Sequence, residues 1–296
     1  MKKFIQKLLK ILGIKSSWGI KKVSFDNIKI SDDTYRIGCK KVILEGNTYF
    51  IPQYAIHRPA VKNFLKGQLY EPLTHKFVNE YCSQFTGSIV HAGTFFGDMI
   101  PSFSLSVNGR VFAFEPVLEN FILAKLCIEE NNLTNVIIQN SALSDNIDNL
   151  KINTVDKRGN HSGGGSAIDN TGLICPTMTI DSLNLNDTVL IQLDVEGHEI
   201  YVLRGAINFI KAYNPVICFE QHTNDFSEGK SAVIEFLDGL GYEFYLFKSI
   251  YDSYKSNFIK ILFKLMMGDK YELKKISSFK PDFYDSIISI HPDTLN

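Results

Sequence analysis

The sequence predicts an α/β fold built on a mostly parallel sheet, and three features carry that expectation. From Gly87 onward, short apolar runs alternate with longer stretches of helical period, the pattern of successive βαβ units. The runs at 88–92, 111–114, 136–139 and 189–193 are apolar almost throughout, as strands buried on both faces must be. Each run also ends on glycine or polar residues, which is where an open sheet presents its carboxyl ends to a ligand.

In order, the core reads as strand 88–92, a glycine turn and helix, strand 111–114, helix 118–131 and strand 136–139. A polar loop follows, with a flexible Gly163-Gly164-Gly165 run and a solvated His161. Strand 189–193, helix 199–211, strand 216–219 and helix 230–240 come next, with Pro215 at a strand opening where no N–H is needed. Strands 242–247 and 284–290 lack a βαβ connection and are expected as an antiparallel pair at the sheet edge, separated by an insertion at 251–280. Residues 1–85 form an N-terminal addition with a strand pair across 41–56 and a helix over 71–85, which leaves 86–296 as the main α/β domain.

The chain of 296 residues suits one large core with appended segments. Lys and Arg total 31 against 32 Asp and Glu, so the basic footprint of a nucleic-acid binder is absent. Five scattered cysteines indicate neither a disulfide framework nor a zinc site and fit a cytoplasmic protein. Phe4, Ile5, Leu8, Leu9, Ile11 and Leu12 share one half of a helical wheel, and Lys2, Lys3, Lys7 and Lys10 the other. Such a helix suits a peripheral contact with the inner face of a membrane, or docking on the protein or on a second copy in a homo-oligomer. The apolar stretch 258–267 is expected as a lid over the acceptor site or as a second membrane contact.

The functional signal lies at the strand ends. The turn His91-Ala-Gly93-Thr94-Phe95-Phe-Gly97-Asp98 follows the first core strand, in the setting where glycines bring backbone N–H groups near a ligand. The second strand ends at Glu115-Pro116, about twenty residues beyond that turn, where a carboxylate can accept from both ribose hydroxyls. The third ends at Asn140-Ser141-Ala142, placed to read an adenine edge. No phosphate-cradling motif accompanies this nucleoside site, which points to S-adenosylmethionine as cofactor.

The turn HAGTFFGD, the segment FAFEP, the stretch Thr179–Leu183, the block LDVEGHE and the strand end Ile217–His222 together resemble the FkbM family of S-adenosylmethionine-dependent O-methyltransferases, over about 87–240. The resemblance implies a Rossmann-like class I methyltransferase fold, with a seven-stranded, mostly parallel sheet whose last strand is antiparallel. It also implies methylation of hydroxyls on sugars or other small products. Glu115 matches the family's ribose position, and Gly93 and Gly97 match its turn; His91 departs from it, standing where the family usually has an acidic residue.

At the acceptor end, an alcohol must lose its proton as it attacks a methyl group, so a base is needed within hydrogen-bond reach. Asp194, Glu196 and His198 lie at one strand end, Glu220 and His222 at the next. His198 or His222 is the expected base, and Asp194 the residue that positions the sulfonium or the acceptor. Glu196 also suits a helix cap, and Glu199 is expected to cap rather than react. The cluster could hold Mg²⁺ or Mn²⁺, but without the H-E-x-x-H spacing a protein base is preferred over a metal.

The expected function is O-methylation of a sugar or glycan precursor. Its rivals are a non-sugar small molecule as acceptor, or a catalytically silent scaffold recruited to a membrane-bound complex. Methylation of nucleic acid or protein is disfavoured, because Leu193-Asp-Val-Glu196 replaces N-P-P-Y.

Overall fold

A computed structural model describes residues 24–30, 35–169, 171–228, 230–254, 256, 260, 262–263, 266–268 and 270–295. The amphipathic segment at 2–12 lies outside these residues, as does half of 258–267. Among the described residues no helix is long and apolar enough to cross a membrane.

Strands β1 (Asp26–Ile30), β2 (Tyr35–Leu44) and β3 (Asn47–Pro52) form an antiparallel meander. The β2–β3 turn is Glu45-Gly46 with φ of 50° and 81°, a pair of left-handed residues whose twist matches that of the strands. Helices α1 (Pro59–Leu65) and α2 (Pro72–Cys82) each start on proline, whose missing N–H costs nothing in a first turn. The core continues through β4 (Ser88–Ala92), α3 (Ile100–Ser106), β5 (Val111–Phe114), α4 (Leu118–Glu130) and β6 (Val136–Gln139).

Where a loop was expected, β7 (Ala142–Leu143), β8 (Asn149–Asn153), β9 (Ala167–Ile168) and β10 (Leu173–Met178) build a second small sheet in the order β7-β10-β8-β9. Strands this short and mixed carry too weak a period to be read from sequence. Then follow β11 (Thr188–Leu193), α5 (Glu199–Arg204), α6 (Ile207–Tyr213), β12 (Val216–Gln221), the short pair β13 (Phe226–Ser227) and β14 (Lys230–Ser231), α7 (Ala232–Asp238), β15 (Glu243–Ser249), β16 (Tyr271–Ile276) and β17 (Tyr284–Ile290). The helix expected as continuous over 199–211 divides at Gly205, where any Cβ would lie 2.0 Å from the Ser144 carbonyl oxygen.

The main sheet runs β16-β15-β17-β12-β11-β4-β5-β6. From β12 to β6 every pairing is parallel, while β17 runs antiparallel to both of its neighbours. This is the expected class I methyltransferase arrangement, and β15 and β17 form the expected antiparallel pair. One difference stands: the edge beyond them is an eighth strand, β16, supplied by the segment read as an insertion.

Alternation along the strands feeds two cores. Val90, Phe114, Ile191 and Phe219 face α5, α6 and α7, whereas Ile89, Val111, Leu190 and Val216 face α2 and α3. A third cluster joins Tyr49, Ile51 and Phe64 of the N-terminal addition to Phe95, Phe96, Leu123 and Cys127. The addition thus packs directly on the glycine turn, and reciprocal 2.7 Å hydrogen bonds between the Thr48 backbone and the Asn131 amide fasten it to the end of α4.

Candidate active site

Chain order reverses direction across the sheet between β4 and β11, and the ligand crevice of an open α/β sheet forms at such a switch point. Here the two strand ends nearly touch. A Cβ on Gly93 would lie 1.7 Å from the Asp194 carbonyl oxygen, and its φ is 84°. Glycine is therefore required by backbone against backbone, in addition to any approach to a ligand. Gly97, also at φ 84°, would bring a Cβ to 3.1 Å from Ala124 Cα, so it serves helix packing and does not line the cleft.

Two adjoining cavities open at this point, both lined by Gly93, Glu115, Gly164 and Asp194. The first, of about 450 Å³, is walled by Phe114, Pro116, Ala142, Leu143, Ile152 and Ile168, mostly apolar surface suited to a nucleobase. Glu115 stands at its edge, 4% exposed. Its carboxylate accepts from the N–H groups of Phe95 (2.8 Å) and Val117 (2.9 Å) and from Asn120 Nδ2 (3.3 Å). Burial nevertheless pushes its pKa up to about 7. Asn120 also donates to the Gly163 carbonyl and accepts from Tyr54 Oη, so one amide links the ribose-type carboxylate, the triple-glycine segment and the N-terminal addition.

The second cavity, of about 610 Å³, is polar. Arg58, Tyr70, His91, Asp98, Glu115, Asp194, Glu196 and Glu220 line it, together with apolar and glycine positions. Glu196 reaches it through a tight turn in which Glu196 and Gly197 have φ of 53° and 91°. Its Oε1 pairs with Arg58 Nη2 at 3.0 Å, and its Oε2 lies 3.2 Å from His222 Nε2. That nitrogen is also 3.0 Å from Glu220 Oε2. Flanked by the Glu196 and Glu220 carboxylates, the His222 imidazole keeps its proton up to about pH 10. Beneath it, burial and then the neighbouring Glu220, Glu71 and Glu196 charges hold the Asp194 carboxyl well above its usual range. Asp98 is likewise raised, by burial, to about 7.

A family model described as the methyltransferase FkbM domain matches residues 91–244, just over half of the chain. The protein belongs to the FkbM methyltransferase family. Among solved structures it is similar to a methyltransferase FkbM from Methylobacillus flagellatus, at 13% identity and TM-score 0.33 over 57% of this chain. The match spans 44% of that protein's length. An O-methyltransferase from Bacillus cereus, solved in complex with SAH, gives 13% identity and TM-score 0.42 over 75% of this chain and 82% of that one. A precorrin-6y C5,15-methyltransferase from Geobacter metallireducens gives 11% identity and TM-score 0.37, covering 75% and 89%. No curated protein matches the sequence.

Within this FkbM methyltransferase the expected site residues separate into three groups. Gly93, Phe95, Asp98, Glu115, Pro116, Ala142 and Asp194 line the cavities, as does His91. His91 is 1% exposed, contacts Gln192 through Nδ1, and leaves Nε2 without a partner. Burial lowers its pKa to about 4, so the ring is neutral.

Thr94, Asn140 and Ser141 do not line either cavity. Asn140 Nδ2 donates to the carbonyls of Glu115 (2.8 Å) and Pro116 (3.1 Å), a clamp behind the carboxylate rather than a reader of adenine. The buried Thr94 and Ser141 hydroxyls have no hydrogen-bond partner.

The two candidate bases part company. His222 joins Glu196 and Glu220, whereas His198 lies in the wall of the apolar cavity, bonded through Nε2 to Ser144 Oγ at 2.9 Å and stacked on Tyr201. Burial takes its pKa down to about 4. A ring whose Nε2 is already bonded to Ser144 and whose basicity burial lowers is a poor base for an acceptor at the carboxylate cluster. Neither Glu199 nor Glu196 caps the helix as expected: α5 has no side-chain cap, and Glu199 Oε1 instead accepts from the Val195 (3.1 Å) and Gly197 (3.3 Å) N–H groups of the turn before it.

Sequence reasoning missed Arg58, Tyr70, Asn120 and the Gly163–Gly165 turn. That turn is a 3₁₀ segment against the Phe95 ring, where Cβ atoms on Gly163 and Gly164 would meet Ala55 and Phe95 at 2.7 and 3.0 Å. His161, expected in solvent, is half-buried, packs on Tyr54 and accepts from the Gly163 N–H. The glycine run was the one available signal, and flexible loops share it.

Proposed function

We propose that this methyltransferase uses S-adenosylmethionine to methylate a hydroxyl of a sugar or glycan precursor. The observation that carries the reading is the meeting of Glu196 and Glu220, with His222 against both, at a polar cavity that continues from the Gly93–Glu115 nucleoside site. The residues present fit the cofactor. The apolar cavity takes the base, Glu115 the ribose, and His91, whose buried Nε2 has no partner, lines the cleft beside the Gly93 turn where the amino-acid end would lie.

When bound, the sulfonium supplies a methyl group that leaves without its bonding electrons, so the chain must present an acceptor oxygen in line and a destination for its proton. Glu220 Oε2 is buried and lies 3.0 Å from His222 Nε2 without hydrogen-bond geometry, which makes it the proton-accepting atom of the cluster. His222, charged and between two carboxylates, offsets their repulsion rather than acting as base. Arg58 fixes the far oxygen of Glu196.

A cavity rich in carboxylates favours a neutral polyhydroxylated acceptor over a phosphate approaching by its charge. The test is incubation with methyl-labelled S-adenosylmethionine and a panel of neutral glycans, nucleotide sugars, lipid-linked glycans and non-sugar alcohols. Label on a sugar oxygen is expected; label only on nitrogen, or only on a non-sugar alcohol, would refute the acceptor assignment.

A further inference from the structure

We infer that Glu196, Glu220 and His222 form a binding site for one divalent metal ion of the manganese or zinc class, which holds the acceptor hydroxyl. The ion's role rests on the O-methyl transfer reading above; its binding does not. One donor atom from each side chain lies within 4.8 Å of the other two. His222 Nε2 is 3.2 Å from Glu196 Oε2 and 3.0 Å from Glu220 Oε2. Adjacent donors around an ion with bonds of about 2.1 Å stand roughly 3.0–3.4 Å apart, so these separations fit two edges of a coordination shell.

The contacts are also poor as hydrogen bonds. Glu220 Oε2 and His222 Nε2 are buried, yet neither has a partner in hydrogen-bond geometry. An imidazolium placed to make a salt bridge would aim its N–H at one oxygen, whereas this nitrogen lies between two. Glu220 is only 9% exposed, so solvent does little to satisfy the orphaned oxygen. A cation at the point the three atoms share would satisfy all of them at once, in the place of the proton on His222.

The donors are held from behind. Arg58 occupies Glu196 Oε1 and leaves Oε2 turned toward His222, and the His222 backbone N–H donates to Asp225 Oδ2 at 2.6 Å. Such outer contacts fix ligand direction in metal sites. Glu196 and Glu220 both line the polar cavity, so the open coordination positions face the acceptor. One imidazole nitrogen with two carboxylate oxygens suits Mn²⁺ or Zn²⁺ better than Ca²⁺. With Glu220 Oε2 taken up as a ligand, the ion polarises the bound hydroxyl in place of that base, and the proton released leaves to the second Glu220 oxygen or to water.

The experiment titrates the full-length chain, stripped with a chelator, with Mn²⁺ and separately with Zn²⁺, following heat and, for Mn²⁺, the free-ion spin resonance signal. One ion per chain is expected, with affinity at least about tenfold weaker in Glu220→Gln and in His222→Gln. Glu272→Gln, which alters an exposed ion pair on β16, should leave binding unchanged. Circular dichroism verifies folding, and Glu196→Gln replaces either variant that fails to fold. No uptake by wild type overturns the site, and so does uptake that persists in two folded variants. Methyl transfer to a hydroxyl without ion binding overturns the ion alone, whereas ion binding in a chain that methylates no hydroxyl supports the site and refutes the transferase reading.

Discussion

The two ends of the crevice are built on opposite principles. At the cofactor end the carboxylate of Glu115 is surrounded by donors from its own neighbourhood, namely the Phe95 and Val117 N–H groups and the Asn120 amide. At the acceptor end Asp194, Glu196 and Glu220 face one another and depend on His222 and Arg58 for relief. Short-range contacts preorganise the first end, which can wait for a ligand at little cost. Groups from three separate segments assemble the second, which holds like charges close together where the proposed reaction would take up a proton.

That contrast predicts a division of labour. The largest expected effect is at the acceptor end, where Glu220→Gln should slow methyl transfer by roughly 10²–10⁴ while cofactor affinity barely moves. Parallel losses in rate and in calorimetric affinity would mean that the ends are not separable. Next comes the seam between them. Gly93→Ala forces a Cβ onto the Asp194 carbonyl at positive φ and should cost at least about 3 kcal/mol in urea denaturation. A variant of near wild-type stability would show that the strand ends can move apart.

At the cofactor end, Glu115→Gln keeps the volume but removes the charge, and affinity for S-adenosylhomocysteine should fall about tenfold with turnover at saturation largely retained. Loss of turnover with binding intact would move Glu115 out of the cofactor site. The smallest effect concerns His91. Its pKa lies near 4 in the folded chain, below the usual value near 6.5, so the unfolded chain binds the extra proton. Stability from this group is therefore present above pH 6.5 and lost as pH falls toward 4, at up to about 1.4 kcal/mol per pH unit. His91→Gln should flatten the slope of unfolding free energy over that window; an unchanged slope would mean that the ring is already charged.

The legible part of the fold was its parallel half. Strands β4, β5 and β6 fall on the expected residues because burial on both faces leaves uninterrupted apolar runs. β16 was hidden: Tyr-Glu-Leu-Lys-Lys-Ile is half charged and pairs on one side only, so nothing in its composition separates it from a loop. β17 was found, but its insertion between β12 and β15 depends on pairing across seventy residues. In the site, Glu115, Asp194, Glu220 and His222 were recognised from their places at strand ends. Arg58 and Tyr70 were not, since they lie in a separate addition that only packing brings over the crevice.

The sequence alone determined the element order, the strand ends that carry polar groups and, through its motifs, the methyltransferase family, because each is encoded within a few neighbouring residues. Tertiary structure decided which of those groups meet. It separated His198 from His222, turned Asn140 into a clamp, and closed Arg58 on Glu196 across 138 residues of chain. The physical reason is range: propensity and period act over a single element, whereas charge and hydrogen bonding act across a gap whose width only the packed core sets.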